Sequence, residues 1–326
     1  MKAKILSMLR ETDGYISGQQ ICEKFQVSRT AVWKVIEQLK AEGYKIEAVR
    51  NRGYHLEGAP DVMSKAEIES LISTKWAGCD VLYFPEIDST NLRAKRLGEE
   101  GASHGTLVVA DRQTDGRGRR GRAWESPAGS SIYMSILLRP EIIPSRAPML
   151  TLVMAQSVAE AIREMTGVDA QIKWPNDIVL NGKKICGMLT EMSTEIDWIS
   201  YVVIGVGINV NTENFPEELK GRATSLWLEE GKRYKRAALI AQIMKRFESC
   251  YEQFIKTGDL SGIQEDYNRL LVNRDREVRI LEPGHEYNGH ALGIDETGEL
   301  LVRRADGSVA KIYAGEVSVR GIYGYV

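Results

Sequence analysis

The spacing of apolar residues divides the chain into three stretches, and the first of them is helical. Between residues 2 and 42 the apolar side chains recur every three or four positions, which is the period of a helix buried on one face. Ser17 and Ser28 stand where serine commonly caps a helix, and Gly43 stands where the last helix would stop. The pattern therefore predicts three helices: Lys2 to Arg10, a second that starts after Ser17 and carries Phe25, and Arg29 to Glu42.

Two short strand-like segments follow the third helix. Tyr44 to Val49 and Gly53 to Leu56 can pair across a tip that contains Arg50 and Arg52. Closely spaced helices followed by a basic hairpin are typical of a winged helix-turn-helix, which places one helix in the DNA major groove and its hairpin on the backbone or in the minor groove. A helical protein-interaction domain with a charged, solvated face is the alternative. The candidate DNA-binding residues are Ser28, Arg29, Thr30, Trp33, Lys34, Arg50 and Arg52, of which Trp33 could instead pack inside.

Beyond a short linker, Glu57 to Asp61, strand-like segments alternate with two long amphipathic helices. The helices are predicted at Pro148 to Met165 and at Arg236 to Ile255, and Asn181-Gly182 marks a hairpin between two strands. After about residue 271 only short strands remain, with turns at Pro283-Gly284, Glu296-Thr-Gly298 and Asp306-Gly307. The fold class is therefore α+β and multi-domain. We expect a winged helix-turn-helix at 1–60, a central mixed β-sheet with helices at 64–270 and a small all-β unit at 271–326.

Composition excludes several classes of protein. With 43% hydrophobic and 27% charged residues, the 326-residue chain is an ordinary globular protein long enough for two or three domains. No segment approaches the roughly 18 to 20 apolar residues of a membrane span. The start Met1-Lys-Ala-Lys lacks the apolar region of a signal peptide, so we expect a cytoplasmic protein with no membrane partner. The four cysteines form no CxxC pair, which predicts neither a zinc site nor a disulfide framework.

The net charge of −2 is unevenly distributed along the chain. Residues 1–58 carry ten Lys or Arg against seven Asp or Glu, a balance of +3 that leaves −5 for the remainder. A basic first segment beside an acidic remainder indicates one end that binds nucleic acid and another end with a metabolic function.

The segment with the most specific chemistry is Gln113-Thr-Asp-Gly-Arg-Gly-Arg-Arg-Gly-Arg-Ala-Trp124. Its three glycines allow positive φ and close approach to a ligand, and its four arginines supply permanent positive charge. Strand-like segments flank it, Gly105 to Ala110 and Ser131 to Leu138, so it is predicted to be an anion-binding loop between two sheet strands. It matches neither the GxxxxGK[ST] nor the GxGxxG phosphate-binding pattern. A solvated or RNA-binding glycine-arginine segment is the alternative.

Four motifs together resemble the biotin protein ligases. They are Ser89-Thr-Asn91, Gly116-Arg-Gly-Arg-Arg-Gly-Arg-Ala-Trp124, Lys173-Trp-Pro-Asn-Asp177 and Gly205-Val-Gly-Ile-Asn209. With the predicted winged helix, essentially the whole chain resembles the bifunctional members that also act as transcriptional repressors of the biotin operon. The resemblance implies the activity of a biotin–[biotin carboxyl-carrier protein] ligase. It also implies an SH3-like barrel for the C-terminal unit.

The resemblance implies a reaction in two steps. The carboxylate of biotin attacks the α-phosphate of ATP to give biotinyl-5′-AMP and pyrophosphate. A lysine of a biotin carboxyl carrier protein, of the acetyl-CoA carboxylase type, then attacks the acyl carbon and releases AMP. Because the first nucleophile is already an anion, the step needs cations and preorganised donors rather than a histidine base. Mg²⁺ is expected to accompany the phosphates.

Match to the motifs of the family assigns site residues in three groups, and no residue is assigned as a metal ligand. The catalytic group is Arg119, Lys184 and Asp177. The biotin-binding group is Ser89, Thr90, Asn91, Gln113, Arg117, Gly118, Arg119, Lys184 and Gly187. The ATP-binding and adenylate-binding group is Arg119, Arg120, Arg122, Trp124, Asn176 and Asn209.

Several of these residues also have ordinary structural explanations. Ser89 or Thr90 could cap a helix, and Lys184 could be an exposed hairpin lysine. Asp177 could help to hold magnesium, accept the proton of the acceptor lysine or cap a turn. Asp115 departs from the usual family pattern, in which a small neutral residue precedes the first glycine. Its charge should weaken the attraction of anions unless it pairs with one of the four arginines.

The resemblance further implies a link between the two ends of the chain. Biotinyl-AMP would act as corepressor by ordering the glycine-arginine loop and completing a homodimer surface. The dimer would then place two winged helices on the operator DNA of the biotin genes, and the acceptor protein would compete for the same surface. The alternatives are a lipoate ligase, a repressor that senses biotinyl-AMP without ligase activity, and a ligase whose N-terminal domain no longer binds DNA.

Overall fold

The computed structural model describes residues 1–195, 198–282, 285–313 and 318–321, with the backbone alone at 282, 285 and 318–321. In its N-terminal region helices pack on a two-stranded antiparallel hairpin, as the winged helix-turn-helix prediction requires. The elements of this region are α1 (Lys2–Glu11), α2 (Gly18–Phe25), α3 (Arg29–Ala41), β1 (Lys45–Val49) and β2 (Gly53–Gly58).

Both predicted helix caps of this region are present. The Ser17 hydroxyl accepts from the Gln20 amide while the Gln20 side chain accepts from the Ser17 amide, which is a complete capping box. The Ser28 hydroxyl accepts from the Ala31 amide at the start of α3. These caps fix where α2 and α3 begin, and the first residues of α3, Arg29 and Thr30, are exposed.

A seven-stranded sheet forms the centre of the molecule. Its strands are β3 (Val81–Ile87), β4 (Leu107–Gln113), β5 (Ile132–Leu138), β6 (Gln171–Lys173), β7 (Asp177–Leu180), β8 (Lys183–Thr194) and β9 (Ile199–Ile208). Their spatial order is β3-β4-β5-β9-β8-β7-β6. β3 and β4 run parallel and the other neighbours run antiparallel, so the predicted mixed sheet is confirmed. Asn181 (φ 49°) and Gly182 (φ 74°) form the predicted tight turn between β7 and β8.

Helices cover both faces of this sheet. They are α4 (Lys65–Leu71), α5 (Thr90–Glu99), α6 (Met149–Thr166), α7 (Leu226–Glu230), α8 (Arg236–Thr257) and α9 (Gln264–Leu270). Successive residues of a strand point to opposite faces, and β4 follows this rule. Leu107 and Val109 pack into the large core beneath α6 and α8, whereas Val108 packs with Ala94 of α5. The start of α5 is thereby held against one face of the sheet, beside the end of β4.

The C-terminal region is an antiparallel sheet. Its strands are β10 (Arg276–Glu282), β11 (His285–Ile294), β12 (Leu300–Arg303), β13 (Val309–Ile312) and β14 (Ser318–Gly321), in the order β13-β12-β11-β10-β14. The all-β prediction is confirmed, while closure into a barrel stays a prediction and the predicted turn at Pro283-Gly284 lies outside the described residues. The buried Trp174 donates its indole N–H to the carbonyl of Gly298 (3.1 Å), which ties this sheet to the central one.

A buried polar contact joins the winged helix to the central region. Arg10 of α1 places Nη2 2.6 Å from both carboxylate oxygens of Glu67 in α4, and the Tyr44 hydroxyl donates to the same carboxylate. Glu67 is 2% exposed, and burial together with the hydrogen bond to Glu67 raises the pKa of Tyr44. The orientation of α3 relative to the sheet therefore depends on a charged pair as well as on apolar packing.

The structure extends several predicted elements by a few residues. β2, predicted to end at Leu56, continues to Gly58, and β8 runs to Thr194 because β9 pairs with it from Cys186 to that residue. Trp198 beside β9 is 54% exposed, so the apolar pattern alone does not mark where this hairpin ends. Within the described ranges, no helix has the length and apolar character needed to cross a membrane.

Candidate functional site

The glycine-arginine loop, residues 114–124, folds back on itself as a short hairpin between β4 and β5. The Gly118 amide donates to the Arg122 carbonyl (2.7 Å), and the Trp124 amide donates to the Gly116 carbonyl (2.8 Å). A Cβ on Gly116 would lie 2.3 Å from the Trp124 carbonyl oxygen, so a larger residue does not fit there. Arg120 at the tip adopts φ 57°. The loop therefore has a defined shape that returns Arg119 toward the sheet and leaves the other three arginines exposed.

Arg119 connects the loop to the turn before β7. Its Nη1 donates to Asn176 Oδ1 (2.7 Å), and Asn176 Nδ2 donates to the Met188 carbonyl of β8 (3.0 Å). Burial lowers the pKa of Arg119, and the carboxylate of Asp177 partly opposes this effect. Asn176 thus holds a half-buried guanidinium at the edge of the sheet, where it can bind an anion without large reorganisation.

Lys184 and Asp177 form an ion pair beside the ring of Trp124. Lys184 Nζ lies 2.6 Å from Asp177 Oδ1 and 5.2 Å from the centroid of the Trp124 ring. The two charged side chains are only 24% and 14% exposed, so the alternative of an exposed hairpin lysine is wrong. Glycines make room for this arrangement. A Cβ on Gly207 would lie 2.6 Å from the indole, and one on Gly187 would lie 2.8 Å from Lys184 Nζ.

Hydroxyl and amide groups at the start of α5 and the end of β4 form a second part of the site. The amide of Thr90 donates to Gln113 Oε1 (2.9 Å), and Thr90 Oγ1 lies 3.1 Å from the same oxygen. Gln113 Nε2 donates to Ser126 Oγ (2.9 Å), whose hydroxyl donates to the Trp124 carbonyl (2.9 Å). Ser89 occupies the cap position of α5, but neither it nor Thr90 makes the capping hydrogen bond that the sequence allowed.

Two predicted site amides are held by protein groups. Asn91 is 5% exposed, and its amide contacts the Ser135 hydroxyl (2.6 Å) and a carboxylate oxygen of Glu191 (2.9 Å). Asn209 is 8% exposed and donates Nδ2 to the Thr224 carbonyl (3.1 Å). Both side chains therefore have structural contacts that account for their positions.

The outer arginines of the loop are exposed. Arg117 donates to the Asp115 carboxylate from Nε (3.0 Å) and Nη2 (2.6 Å), and this hydrogen bond raises the pKa of Arg117. Asp115 is thus paired, which was the condition for its charge to be tolerated in the loop. Arg120 and Arg122 lie on the exposed rim of the hairpin.

The candidate DNA-binding residues are exposed, at the start of α3 and in the turn between β1 and β2. Trp33 is 55% exposed, so the alternative that it packs inside is wrong. Arg29 donates to Gln19 Oε1 (3.0 Å), and the guanidinium of Arg52 stacks 4.1 Å above the ring of Tyr15. The exposed set is Ser28, Arg29, Thr30, Trp33, Lys34, Arg50 and Arg52.

Three polar residues next to the predicted site escaped the sequence analysis. Ser126, Ser135 and Glu191 contact Gln113, Thr90 or Asn91. The sequence does distinguish Ser135, because it is a serine within the otherwise hydrophobic strand β5. No sequence pattern distinguishes Ser126 or Glu191, because only the fold brings them to Gln113 and Asn91.

Comparison with known proteins identifies the class. Residues 83–209 match the biotin/lipoate A/B protein ligase family, residues 2–55 match an HTH domain, and residues 275–320 match the biotin protein ligase C-terminal domain. A solved structure described as biotin protein ligase from Aquifex aeolicus in complex with biotin and ATP is similar at a TM-score of 0.66 and 35% identity. The similarity covers 74% of this chain and 99% of that one. The fold and the site thus define a protein ligase of the biotin/lipoate class.

Relatives that match over nearly the whole length narrow this assignment. The bifunctional ligase/repressor BirA of Bacillus subtilis is 42% identical, with 94% of each chain covered. That of Escherichia coli is 31% identical, over 97% of this chain and 96% of its own. The chain belongs to the family of bifunctional biotin ligase/repressors, and the resemblance inferred from the motifs is confirmed.

Proposed function

We propose that the protein is an ATP-dependent ligase that forms biotinyl-5′-AMP and transfers biotin to a lysine of a biotin carboxyl carrier protein. We propose that it also represses the genes of biotin synthesis. The observation that carries the proposal is the convergence of Arg119, Lys184 and Trp124 beside the glycine-lined edge of β8 and β9. Arg119 and Trp124 come from the glycine-arginine loop and Lys184 comes from the start of β8, and together they supply two cations and a flat ring for one ligand.

The first step brings a carboxylate to a phosphate, so positive charge at the reacting groups is its main requirement. Arg119 and Lys184 would supply this charge, and the exposed Arg120 and Arg122 would attract the remaining phosphates. Trp124 would meet the adenine. Its buried Nε1 has no hydrogen-bond partner within the described part of the chain, so it is a donor that a ligand can satisfy.

The urea ring of biotin needs a few fixed polar groups in a compact pocket. Thr90 and Gln113 would hold that ring, with the buried Ser89 beside them. Gly118 and Gly187 would allow the valeryl chain to pass close to the backbone, and Lys184 would meet its carboxylate. Arg117, which pairs with Asp115 at the entrance of the loop, would contribute to biotin binding.

Asp177 would hold Lys184 in place during adenylation and accept the proton of the acceptor lysine during transfer. Among the described residues no group of three or more His, Cys, Asp or Glu side chains is arranged to hold a metal ion. Mg²⁺ keeps several water ligands and commonly binds through substrate phosphates. We therefore propose that Mg²⁺ enters with ATP, where it would neutralise phosphate charge, while Asn176 and Asn209 hold the surrounding backbone and Arg119.

The N-terminal 1–60 region would bind operator DNA, with 64–270 as the catalytic domain and 271–326 as the C-terminal domain. A single winged helix contacts a short site, so tight operator binding requires a homodimer on two half-sites. We propose that biotinyl-AMP promotes this dimer through the glycine-arginine loop. Sedimentation with and without biotin and ATP tests the idea, and operator affinity that is indifferent to both ligands would contradict it.

Transfer of labelled biotin to a biotin carboxyl carrier domain, with ATP and Mg²⁺, tests the ligase proposal directly. Label on the carrier domain supports the ligase proposal. A parallel reaction with labelled lipoate tests the alternative that the protein is a lipoate ligase. Binding of biotin and ATP without transfer would favour a repressor that only senses biotinyl-AMP. Transfer without operator binding would leave a ligase whose N-terminal domain has another function.

A further inference from the structure

A buried arginine holds the linker between the winged helix and the central region. Arg236, the first residue of α8, is 4% exposed. Its backbone amide donates to Asp61 Oδ1 (2.9 Å), and its Nε donates to Asp61 Oδ2 (2.8 Å). Asp61 lies between β2 and α4, while the side chain of Lys235, at the cap position of α8, makes no capping hydrogen bond. The linker therefore supplies the carboxylate that caps this long helix.

The far end of the Arg236 side chain contacts both ends of the segment that contains the glycine-arginine loop. Its Nη1 donates to Asp111 Oδ1 in β4 (2.8 Å) and to the Ser131 carbonyl just before β5 (3.2 Å). Asp111 also accepts from the Gly129 amide (3.0 Å). The chain leaves β4 and returns to β5 beside this guanidinium. Arg236 therefore holds together the two ends of the excursion from 112 to 130.

A third segment meets the same carboxylate. Asn211 follows β9, is 1% exposed and donates Nδ2 to Asp61 Oδ2 (3.0 Å). The segment that starts there, residues 211–225, runs back to the proposed reaction site, where the Thr224 amide donates to the Lys184 carbonyl (2.9 Å). Asp61 thus contacts the beginning of one segment that reaches Lys184, and through Arg236 it reaches the base of the loop that carries Arg119.

The chemistry of the guanidinium makes these contacts depend on one another. A guanidinium is planar and presents its donors in a fixed fork, so its acceptors must keep a fixed relation to one another. The side chains of Asp61 and Asp111 are only 24% and 21% exposed. Movement of either carboxylate would leave the buried cation partly unpaired, which is costly. A displacement of the linker therefore disturbs the ends of the loop, and a displacement of the loop ends disturbs the linker.

We propose that Arg236 and Asp61 are positioning residues of the ligand site, and that they make the linker one of the supports of its two mobile segments. The assignment rests on the proposed ligase function and deepens it. Both residues act through the segments they hold, one carrying Arg119 and the other contacting Lys184. Coupling between binding equilibria is reciprocal, so a ligand that orders these segments must also tighten the linker, and a loosened linker must weaken ligand binding.

Asp61→Asn is the deciding variant. It keeps an oxygen for the Arg236 amide but turns an NH₂ group toward the Arg236 Nε and the Asn211 amide, both of which are donors. We expect the KM for ATP to rise about tenfold, the lower part of the usual range of such couplings. The value of kcat at saturating substrate should stay within about twofold, because the cost of ordering a loosened segment is met on binding and is shared by the ground state and the transition state.

Hydrogen exchange of the linker amides gives a readout that a general loss of stability would not move. In the unaltered protein, addition of biotin and ATP should slow exchange across residues 59–64 about tenfold. In Asp61→Asn at saturating ligand, the slowing should fall below about twofold. A variant that is only less stable would instead exchange faster with and without ligand, and the ratio between the two conditions would persist.

Matched variants separate the linker contact from charge and from helix packing. Glu57→Gln removes an exposed carboxylate from the same linker and should change neither the KM nor the exchange ratio. Arg236→Lys keeps the charge but loses the fork, so it should shift both quantities in the same direction as Asp61→Asn. Arg246→Lys makes the same change further along α8, at a side chain that is 40% exposed and pairs with Glu164, and should leave both unchanged.

The outcomes decide the proposal. A KM for ATP within about twofold of the unaltered protein in Asp61→Asn, an exchange ratio that this variant retains, or equal effects in Glu57→Gln would each overturn it. If Arg236→Lys does not fold, Asp61→Asn decides alone, because it has nearly the same shape as the residue it replaces. If the unaltered protein does not activate biotin, the proposed function itself fails, and that result is visible before any variant is compared.

Discussion

The surface of α3 and the glycine-arginine site both bind anions in the proposed function, yet they are built differently. On α3 the candidate DNA contacts are exposed side chains such as Trp33 and Lys34, and their positions depend mainly on the helix that carries them. In the loop site, the position of the Arg119 side chain depends on a hydrogen bond to Asn176, and that of Lys184 depends on an ion pair with Asp177. A phosphate backbone is long and repetitive and tolerates small displacements, whereas adenylation requires the reacting atoms to lie in one geometry.

This difference predicts whether a substitution affects only the substituted residue or also its neighbours. Removal of an exposed charge on α3 should weaken one contact and leave its neighbours in place. Removal of a half-buried charge in the loop site should also leave its partner unpaired, which costs additional free energy. The predictions below test this contrast, from the largest expected effect to the smallest.

Lys184→Ala should give the largest loss. The change removes a cation from the site where the biotin carboxylate attacks the α-phosphate. It also leaves the carboxylate of Asp177, which is 14% exposed, without its partner at 2.6 Å. We expect biotinyl-AMP formation to fall about 10²- to 10³-fold, as for the loss of other preorganised charge-stabilising groups. Pyrophosphate release in the absence of acceptor protein measures this step.

Lys183→Ala is the control for this loss. Lys183 is the preceding residue, is 44% exposed and lies 3.8 Å from Glu229. An exposed pair of this kind contributes little, so adenylation should stay within about twofold of the unaltered protein. Equal losses in the two lysine variants would show that the hairpin as a whole, and not Lys184, is required.

Arg10→Ala tests the contact that joins the two regions. It leaves Glu67 buried with the Tyr44 hydroxyl but without its cation, and breaking a buried pair commonly costs about 3 kcal/mol. We expect the N-terminal region to melt earlier and operator binding to weaken, while biotin transfer at moderate temperature is kept. Lys2→Ala, which removes a more exposed pair with Glu42 from the same helix, should have little effect. Loss of transfer in step with operator binding would show that the two regions are not separable.

Much of the fold was predictable because it rests on local signals. The capping box of Ser17 and Gln20, the Asn181-Gly182 turn and the helical spacing of α6 and α8 depend on residues close in sequence. The glycine-arginine loop was recognisable for the same reason. Its flanking strands and its unusual composition are local.

The interior of the site was not predictable to the same degree. Ser135 and Asn91 are far apart in the chain, and no periodicity indicates that their side chains meet. The motifs named Asn91 as a contact of the ligand, whereas the structure surrounds its amide with protein groups. Sequence spacing identifies which residue types a site contains, but the partner of each buried polar group depends on the tertiary arrangement.

Arg29→Ala should affect only the N-terminal function. Arg29 is exposed, and its contact within the protein is a hydrogen bond to Gln19. Loss of an arginine that contacts a base or phosphate typically costs about 2 kcal/mol, so operator affinity should fall about 30-fold with biotin transfer unchanged. Fluorescence anisotropy of operator DNA measures the loss. Lys40→Ala, in the last turn of α3 where Lys40 pairs with Glu37, is the control, and an equal loss there would contradict a specific role for Arg29.

Asp115→Asn should produce the smallest effect, and in the opposite direction. Asp115 and Arg117 are both more than half exposed, and pairs of this kind contribute less than about 1 kcal/mol. Removing the carboxylate frees Arg117 for phosphate, so the KM for ATP should fall by less than about fivefold at low salt. The gain should vanish at high ionic strength, because solvent-exposed charges are screened there. Glu86→Gln removes the carboxylate of an equally exposed pair with Arg112, outside the loop, and should leave the KM unchanged. A large rise in the KM for Asp115→Asn would mean that the Asp115 and Arg117 pair shapes the loop, and that the contrast between an exposed rim and an interlocked interior is too simple.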